Sequence, residues 1–223
     1  MRTVKLRVRG DTLEFAALRS LPVAAINLLL FAYAYPASGQ EYAQDELRAL
    51  PRACLAQKFI NGSLRTPIVP EFERAQWEAR LGSDYQHYHH FCWALMDLRR
   101  ANTGPSQHRN FNYSTAVQNF EYVQRNASRA FPLLPEVYLR KGMALRYLGE
   151  EARAAREFLE AIDLKRDYTP AYSELIDLYL DLEDYESARR TLELGLAAVP
   201  DSKILASKKA EIANRSSSTS KRD

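Results

Sequence analysis

The stretch HYHHFCWALMDL, residues 87–98, places three of the four histidines and one of the two cysteines of a 223-residue chain within six positions. Imidazole and thiolate are side chains that zinc and haem iron take, so metal or haem handling is the first chemistry this spacing raises. On a helix turning about 100° per residue, His87 and His90 share a face, His89 lies with Trp93 on another, and Cys92 falls far around from His90. Two convergent donors are fewer than the three or four that zinc usually takes. A metal site on His87 and His90 therefore needs a donor from elsewhere. The expectation is histidines that pack and hydrogen-bond against N-terminal helices, with no cofactor.

The two cysteines change meaning with compartment. In an exported protein Cys54 and Cys92 form a disulfide that closes a loop of nearly 40 residues, roughly 4 kcal/mol by chain entropy. In a cytosolic protein both are buried thiols. Other chemistry is not advertised: the chain has no Gly-x-Ser-x-Gly, phosphate loop, dinucleotide fingerprint or zinc-protease motif. Glu150, Glu151, Glu183, Asp184 and Glu186 sit at turns or solvated faces, and Glu71, Glu73 and Glu78 near Trp77 read as the charged face of a capping helix. No enzyme is expected.

The elements that position these residues are helical. Only 8 glycines occur, and Ala, Leu, Glu and Arg dominate the second half, which points to an all-α chain. Of the net charge of +3, residues 1–39 hold Arg2, Lys5, Arg7, Arg9 and Arg19 against Asp11 and Glu14, so the remainder is neutral. A neutral body lacks the electrostatic footprint of a nucleic-acid binder, and no nucleic-acid partner is expected. The basic stretch precedes an apolar run from Leu21 to Tyr35 and then the small residues Ala37 and Gly39, the order of a secretory signal. The run is about 15 residues, short of the roughly 20 that span a bilayer. Residues 1–39 are thus expected to be a signal peptide cleaved after Gly39, with Ala34 as second choice. A signal anchor, or an amphipathic helix carrying Asp11 and Glu14 that stays with the protein, is the alternative. The chain is accordingly expected to be periplasmic or otherwise exported, with membrane contact only through this segment, or else membrane-anchored or cytoplasmic.

Residues 138–200 repeat themselves at an offset of 34: Tyr138 matches Tyr172, Ala154 matches Ala188, Phe158 matches Leu192, and Ala161 matches Gly195. Each copy is a helical hairpin, its first stretch ending at a polar turn (YLGEE, DLEDY) and a second apolar stretch following. Upstream, Ala116-x-x-x-Phe120 repeats the spacing of Ala154-x-x-x-Phe158, which makes HHFCWALMDLRRAN the first helix of a degenerate copy. Ala94 to Ala116 is 22 residues against 12 from Gly142 to Ala154, so about ten extra residues, TGPSQHRNFNY, are expected as an enlarged loop.

This spacing resembles the tetratricopeptide repeat family. The first full copy has Tyr138, Lys141-Gly142, Leu145, Ala154, Phe158 and Ala161, with Arg166 where proline is expected; the second has Tyr172, Leu175-Ile176, Tyr179, Ala188, Leu192, Gly195 and Pro200. The chain is also similar to small exported bacterial members of that family. The resemblance implies a short right-handed α-solenoid and protein binding along a concave groove lined by the first helix of each hairpin. The corresponding stripe is Phe91 and Leu95, then Leu139, Met143, Arg146 and Tyr147, then Ser173, Asp177 and Asp181. Such a groove suits an extended peptide or a partner helix, here a protein or peptide of the cell envelope. Some family members clamp the C-terminal carboxylate of chaperones there with cationic and amide side chains. Leu139, Met143, Ser173 and Asp177 stand on that stripe here, so the clamp is absent.

The remaining elements follow from punctuation. Residues 40–86 are expected to form an N-terminal helical cap from QEYAQDELRALPRACLAQKF and FERAQWEARLG, separated by the loop NGSLRTPIVPE. The degenerate repeat spans 87–126 and the full repeats 135–168 and 169–200. A capping helix over 201–214 and a disordered tail over 215–223 complete the reading.

Overall fold

In a computed structural model the chain divides into two units, Met1–Tyr42 and Ala43–Asp223; the structure describes residues 4–8, 11–15, 43–64 and 68–219. The apolar run Leu21–Tyr35, both cleavage positions and residues 220–223 lie outside the described residues. In the first unit, strands β1 (Val4–Val8) and β2 (Asp11–Phe15) pair antiparallel. Val4 stands opposite Phe15, Leu6 opposite Leu13 and Lys5 opposite Glu14. This corrects the alternative of an amphipathic helix carrying Asp11 and Glu14. The sequence holds the reason: Val4, Leu6 and Val8 alternate with Lys5 and Arg7, the period-two pattern of a strand.

The second unit is all-α, a solenoid of helical hairpins. Its cap begins with three short helices, α1 (Gln44–Arg48), α2 (Arg52–Leu55) and α3 (Lys58–Ser63), followed by α4 (Glu71–Leu81). The helical pattern of the expected cap is interrupted at Pro51, which has no N–H for helix bonding and directly precedes α2. Asn61-Gly62, expected as loop, lies inside α3.

Three hairpins follow: α5 (Tyr88–Thr103) with α6 (Arg109–Asn126), α7 (Leu134–Tyr147) with α8 (Glu151–Leu164), and α9 (Thr169–Asp181) with α10 (Tyr185–Ala198). The enlarged loop is a correction. The extra residues lengthen the helices instead, to 16 in α5 and 18 in α6 against 14 each in α7 and α8, and only Gly104–His108 connects them. The extension brings Tyr113 of α6 onto Tyr147 of α7, rings stacked 4.9 Å apart, while its hydroxyl donates to Asn102 Oδ1 at 2.5 Å. The closing helix α11 runs from Lys203 to Thr219, so residues 215–219 are helical rather than a disordered tail.

One core runs from Ala101 through the hairpins to Ile212 of α11, with Phe158, Leu145, Leu175, Ile176 and Leu178 almost fully buried. Between α6, α7 and α8 it holds one cation. Lys141, 6 % exposed, reaches Gln124 Oε1 at 2.9 Å, Glu157 Oε1 at 3.0 Å and Glu121 Oε1 at 3.3 Å, so the buried charge is matched by two carboxylates and an amide.

The two full repeats turn on the same closure. The Glu150 N–H bonds Leu145 C=O and the Asp184 N–H bonds Tyr179 C=O, each at 2.9 Å, around residues with φ of +75° at Gly149 and +57° at Glu183. A side chain in the left-handed region costs about 1 kcal/mol relative to glycine. Glu183→Gly is therefore expected to raise unfolding stability by roughly 0.5–1 kcal/mol in chemical denaturation, with an unchanged denaturant slope; a loss of stability would refute this account of the turn.

Candidate functional site

The first helices α7 and α9, with α11 beyond them, build one wall, and ion pairs cross it from helix to helix. Arg146 of α7 meets Glu174 Oε2 of α9 at 3.2 Å and also Asp181, which Arg215 of α11 reaches at 3.4 Å. Lys208 of α11 bonds Asp177 of α9 and Glu211. Burial nonetheless raises the Glu174 carboxyl above its usual range, outweighing the pull of Arg146, while Asp181 is lowered by Arg146 and Arg215 against its own burial cost.

The residues expected on the groove divide by depth. Met143, Arg146, Ser173 and Asp177 are half-buried, and Asp181 and Tyr147 are exposed, Tyr147 at 63 %. Leu139, 4 % exposed, belongs to the core and supports the wall from within. Phe91, also 4 % exposed, packs between Tyr88 and Phe120 with ring centroids 4.9 and 5.8 Å away, and Leu95 is half-buried.

At its N-terminal end the wall is covered. Aligning Ala94 with Gly142 puts Cys92 at the repeat position of Arg140 and Glu174, the latter a side chain of the wall. Cys92 is bonded to Cys54 of α2, the Cα atoms are 5.5 Å apart, and both residues are 0 % exposed. Two turns further along α5, Arg100 donates to both oxygens of Glu46 in α1 at 2.7 and 2.5 Å, hydrogen bonds that hold the Glu46 carboxyl below its ordinary range. Gln57 Nε2 donates to Tyr85 C=O at 2.5 Å and the Tyr85 hydroxyl to Ala53 C=O at 2.6 Å. The cap thus lies on the α5 end, and the open wall is that of α7, α9 and α11. Sequence periodicity sets Phe91 and Leu95 at the repeat positions of Leu139 and Met143 but holds no record of which segment folds back over the α5 end.

The family model described as Tetratricopeptide repeat matches residues 147–212, from the end of α7 into α11. The match to tetratricopeptide repeats is thus to this part of the chain. No curated protein matches it. Among solved structures it is similar to a thermophilic TPR protein of Thermus thermophilus, with 15 % identity over 86 % of this chain and 95 % of that one at a TM-score of 0.48. It is similar to the first TPR domain of human RPAP3, with 22 % identity over 58 % and 96 % at 0.43. The Sgt2 TPR domain of Aspergillus fumigatus gives 18 % identity over 57 % and 82 % at 0.43.

In the first hairpin, α5 with α6, the seam is polar. The His90 ring stacks on Tyr122 with centroids 3.6 Å apart, its Nδ1 is 2.8 Å from Asn119 Oδ1, and Asn119 Nδ2 donates to Asp97 Oδ2 at 3.2 Å. His87 lies against the same Tyr122 ring at 5.8 Å, and His89 Nδ1 is 2.7 Å from Gln86 C=O. Burial lowers the pKa of His89 and His90, which favours neutral rings. Among the described residues no three His, Cys, Asp or Glu side chains are grouped to hold a metal ion.

Asp97 occupies the repeat position of Leu145 and Tyr179, is 0 % exposed, and keeps Oδ1 without a hydrogen-bond partner. Burial, opposed by Asn119 and Arg100 and reinforced by Glu46, pushes its pKa from 3.8 to about 7. The folded state therefore keeps a proton that the unfolded chain releases. The stabilisation is complete below about pH 4, is lost as pH rises through about 7, and changes no further above that. Asp97→Leu, which restores the residue type of Leu145, is expected to flatten this slope and exceed the wild type at pH 8 by an order of a few kcal/mol. Melting curves between pH 5 and 9 test it, and a wild type whose stability is level from pH 5 to 7 would contradict the assignment.

Proposed function

We propose that the chain is a non-enzymatic protein-binding scaffold of the bacterial cell envelope that holds a partner peptide or helix along the open wall of α7, α9 and α11. The observation that carries the binding reading is the state of that wall. Met143, Tyr147 and Ser173 are left partly or fully accessible, while the charges around them are already paired with one another through Arg146, Asp181, Lys208 and Asp177. A wall whose ions are satisfied internally selects a partner by shape and apolar contact more than by net charge.

The envelope reading rests on Cys54–Cys92, a pair fully enclosed between cap and first repeat, together with the basic, apolar and small order of the leader. No helix among the described residues is long and apolar enough to cross a membrane.

Two measurements test the parts separately. A photocrosslinking amino acid at Met143 or Ser173, expressed in the cells of origin, is expected to give one discrete adduct that the same probe at Leu194 on α10 does not. Adducts from neither position, or equal adducts from Leu194, would remove the wall as the binding surface. For the compartment, intact mass after alkylation without reduction is expected to show a chain starting near Gln40 with both cysteines unmodified. A chain starting at Met1 with two alkylated thiols would make a cytosolic or membrane-anchored adaptor the correct reading.

A further inference from the structure

Pro51 divides the cap into a part that can leave and a part that cannot. Downstream of it, α2 is tied to α5 by Cys54–Cys92. Upstream, α1 is five residues long, and its ion pair to α5 is Arg100 on both oxygens of Glu46. Glu46 Oε2 also accepts the Ala43 N–H at 3.1 Å, so the carboxylate that starts α1 is the one that fastens it. Gln44 Nε2 donates to Ser63 C=O at 3.0 Å, and Leu47 and Leu50 are buried. Closed is therefore the major state of α1 and open the minor one.

Asp97 stands one turn before Arg100 on α5, fully buried, with Oδ1 unpartnered among the described residues. The groups that face it are Asn119 of α6, Arg100 of its own helix and Glu46 of α1, and His90 lies beyond Asn119 with Nδ1 on Asn119 Oδ1. Once ionised, Asp97 is repelled by Glu46 and attracted by Arg100, which Glu46 already engages. Lifting α1 away removes the repelling carboxylate and turns the guanidinium over to Asp97. The open state thus holds the Asp97 proton less tightly than the closed one, in which the carboxyl titrates at about 7. By linkage, loss of that proton favours opening, by up to about tenfold per pH unit below the closed-state value and no further above it.

We propose that Asp97 is a pH-operated release for the cap: its ionisation draws Arg100 off Glu46, and α1 swings out about Leu50–Pro51 while the disulfide keeps α2 seated. Opening returns the α5 surface around Arg100 to solvent, at the end of the wall that the cap covers. The inference concerns the cap alone, so it stands if the wall binds nothing, and the wall stands as a binding surface if α1 never opens.

The test is amide hydrogen exchange of the full chain with its disulfide formed, expressed as protection factors so that the intrinsic pH dependence of exchange divides out. The Leu47, Ala49 and Leu50 N–H groups bond Ala43, Asp45 and Leu47 C=O, and their protection reports α1. Between pH 5 and 8 it is expected to fall about tenfold, to level off above that, and to stay well below the protection of α9 throughout. Asp97→Asn, which keeps the shape and removes the titration, is expected to hold the low-pH protection at every pH. Arg100→Gln leaves the Ala43–Glu46 contact in place and is expected to show low protection already at pH 5; circular dichroism verifies that both variants fold. Protection of residues 43–50 that is level with pH overturns the proposal, as does protection equal to that of α9, since α1 would then leave only with the whole fold. A fall that persists in Asp97→Asn assigns the titration to the histidines and overturns it too, and so does an Arg100→Gln chain protected like the wild type at pH 5.

Discussion

At Gly142 a single added carbon would lie 2.5 Å from Cε1 of Phe158, a ring that is itself 0 % exposed. That close approach sets the distance between α7 and α8, and through them the placement of every later helix. A glycine inside a helix costs about 1 kcal/mol in propensity, a cost offset here by full burial of an aromatic ring. Gly195 serves the next seam, where an added carbon would meet Leu205 at 2.9 Å and the Tyr172 ring at 3.1 Å. Small residues against large ones thus fix the spacing of the scaffold, and the ion pairs across the wall decorate a geometry that packing has already determined.

The parts legible in the sequence are those where one residue type is the only one that fits. Tyr138 and Tyr172, Ala154 and Ala188, Phe158 and Leu192 recur at 34 because the seam tolerates little else, so hairpins and fold class emerge from spacing alone. Distances between seam residues do not say whether extra chain becomes loop or helix, and α5 and α6 absorbed theirs as additional turns. The serine run after Asn214 reads as tail, yet α11 continues to Thr219 and Arg215 pairs with Asp181. The strands β1 and β2 were obscured because a basic alternating stretch ahead of an apolar run also fits a leader.

For the candidate site, the sequence supplies a stripe of positions and no sign of its cover. Positions on one helical face follow from periodicity, but burial of Phe91 depends on Tyr88 and Phe120, and closure of the α5 end depends on contacts such as Arg100 with Glu46, 54 residues apart. Long-range pairings of this kind leave no periodic trace. The histidine cluster shows the same limit. Composition suggests a ligand set, whereas the fold spends His90 on Tyr122 and Asn119 and leaves the buried Asp97 as the group with an unmet hydrogen-bonding capacity.

Cys54 and Cys92 have no solvent exposure, and helices from the cap and the first repeat enclose them. Thiol exchange proceeds by in-line attack on an accessible sulfur, which neither residue offers once the cap is seated. Oxidation must therefore precede closure. A chain that folds among reductants shuts two thiols inside, and one that folds among oxidants shuts in a crosslink. The pair consequently records the redox surroundings of the chain at its birth and is insulated from those it meets later.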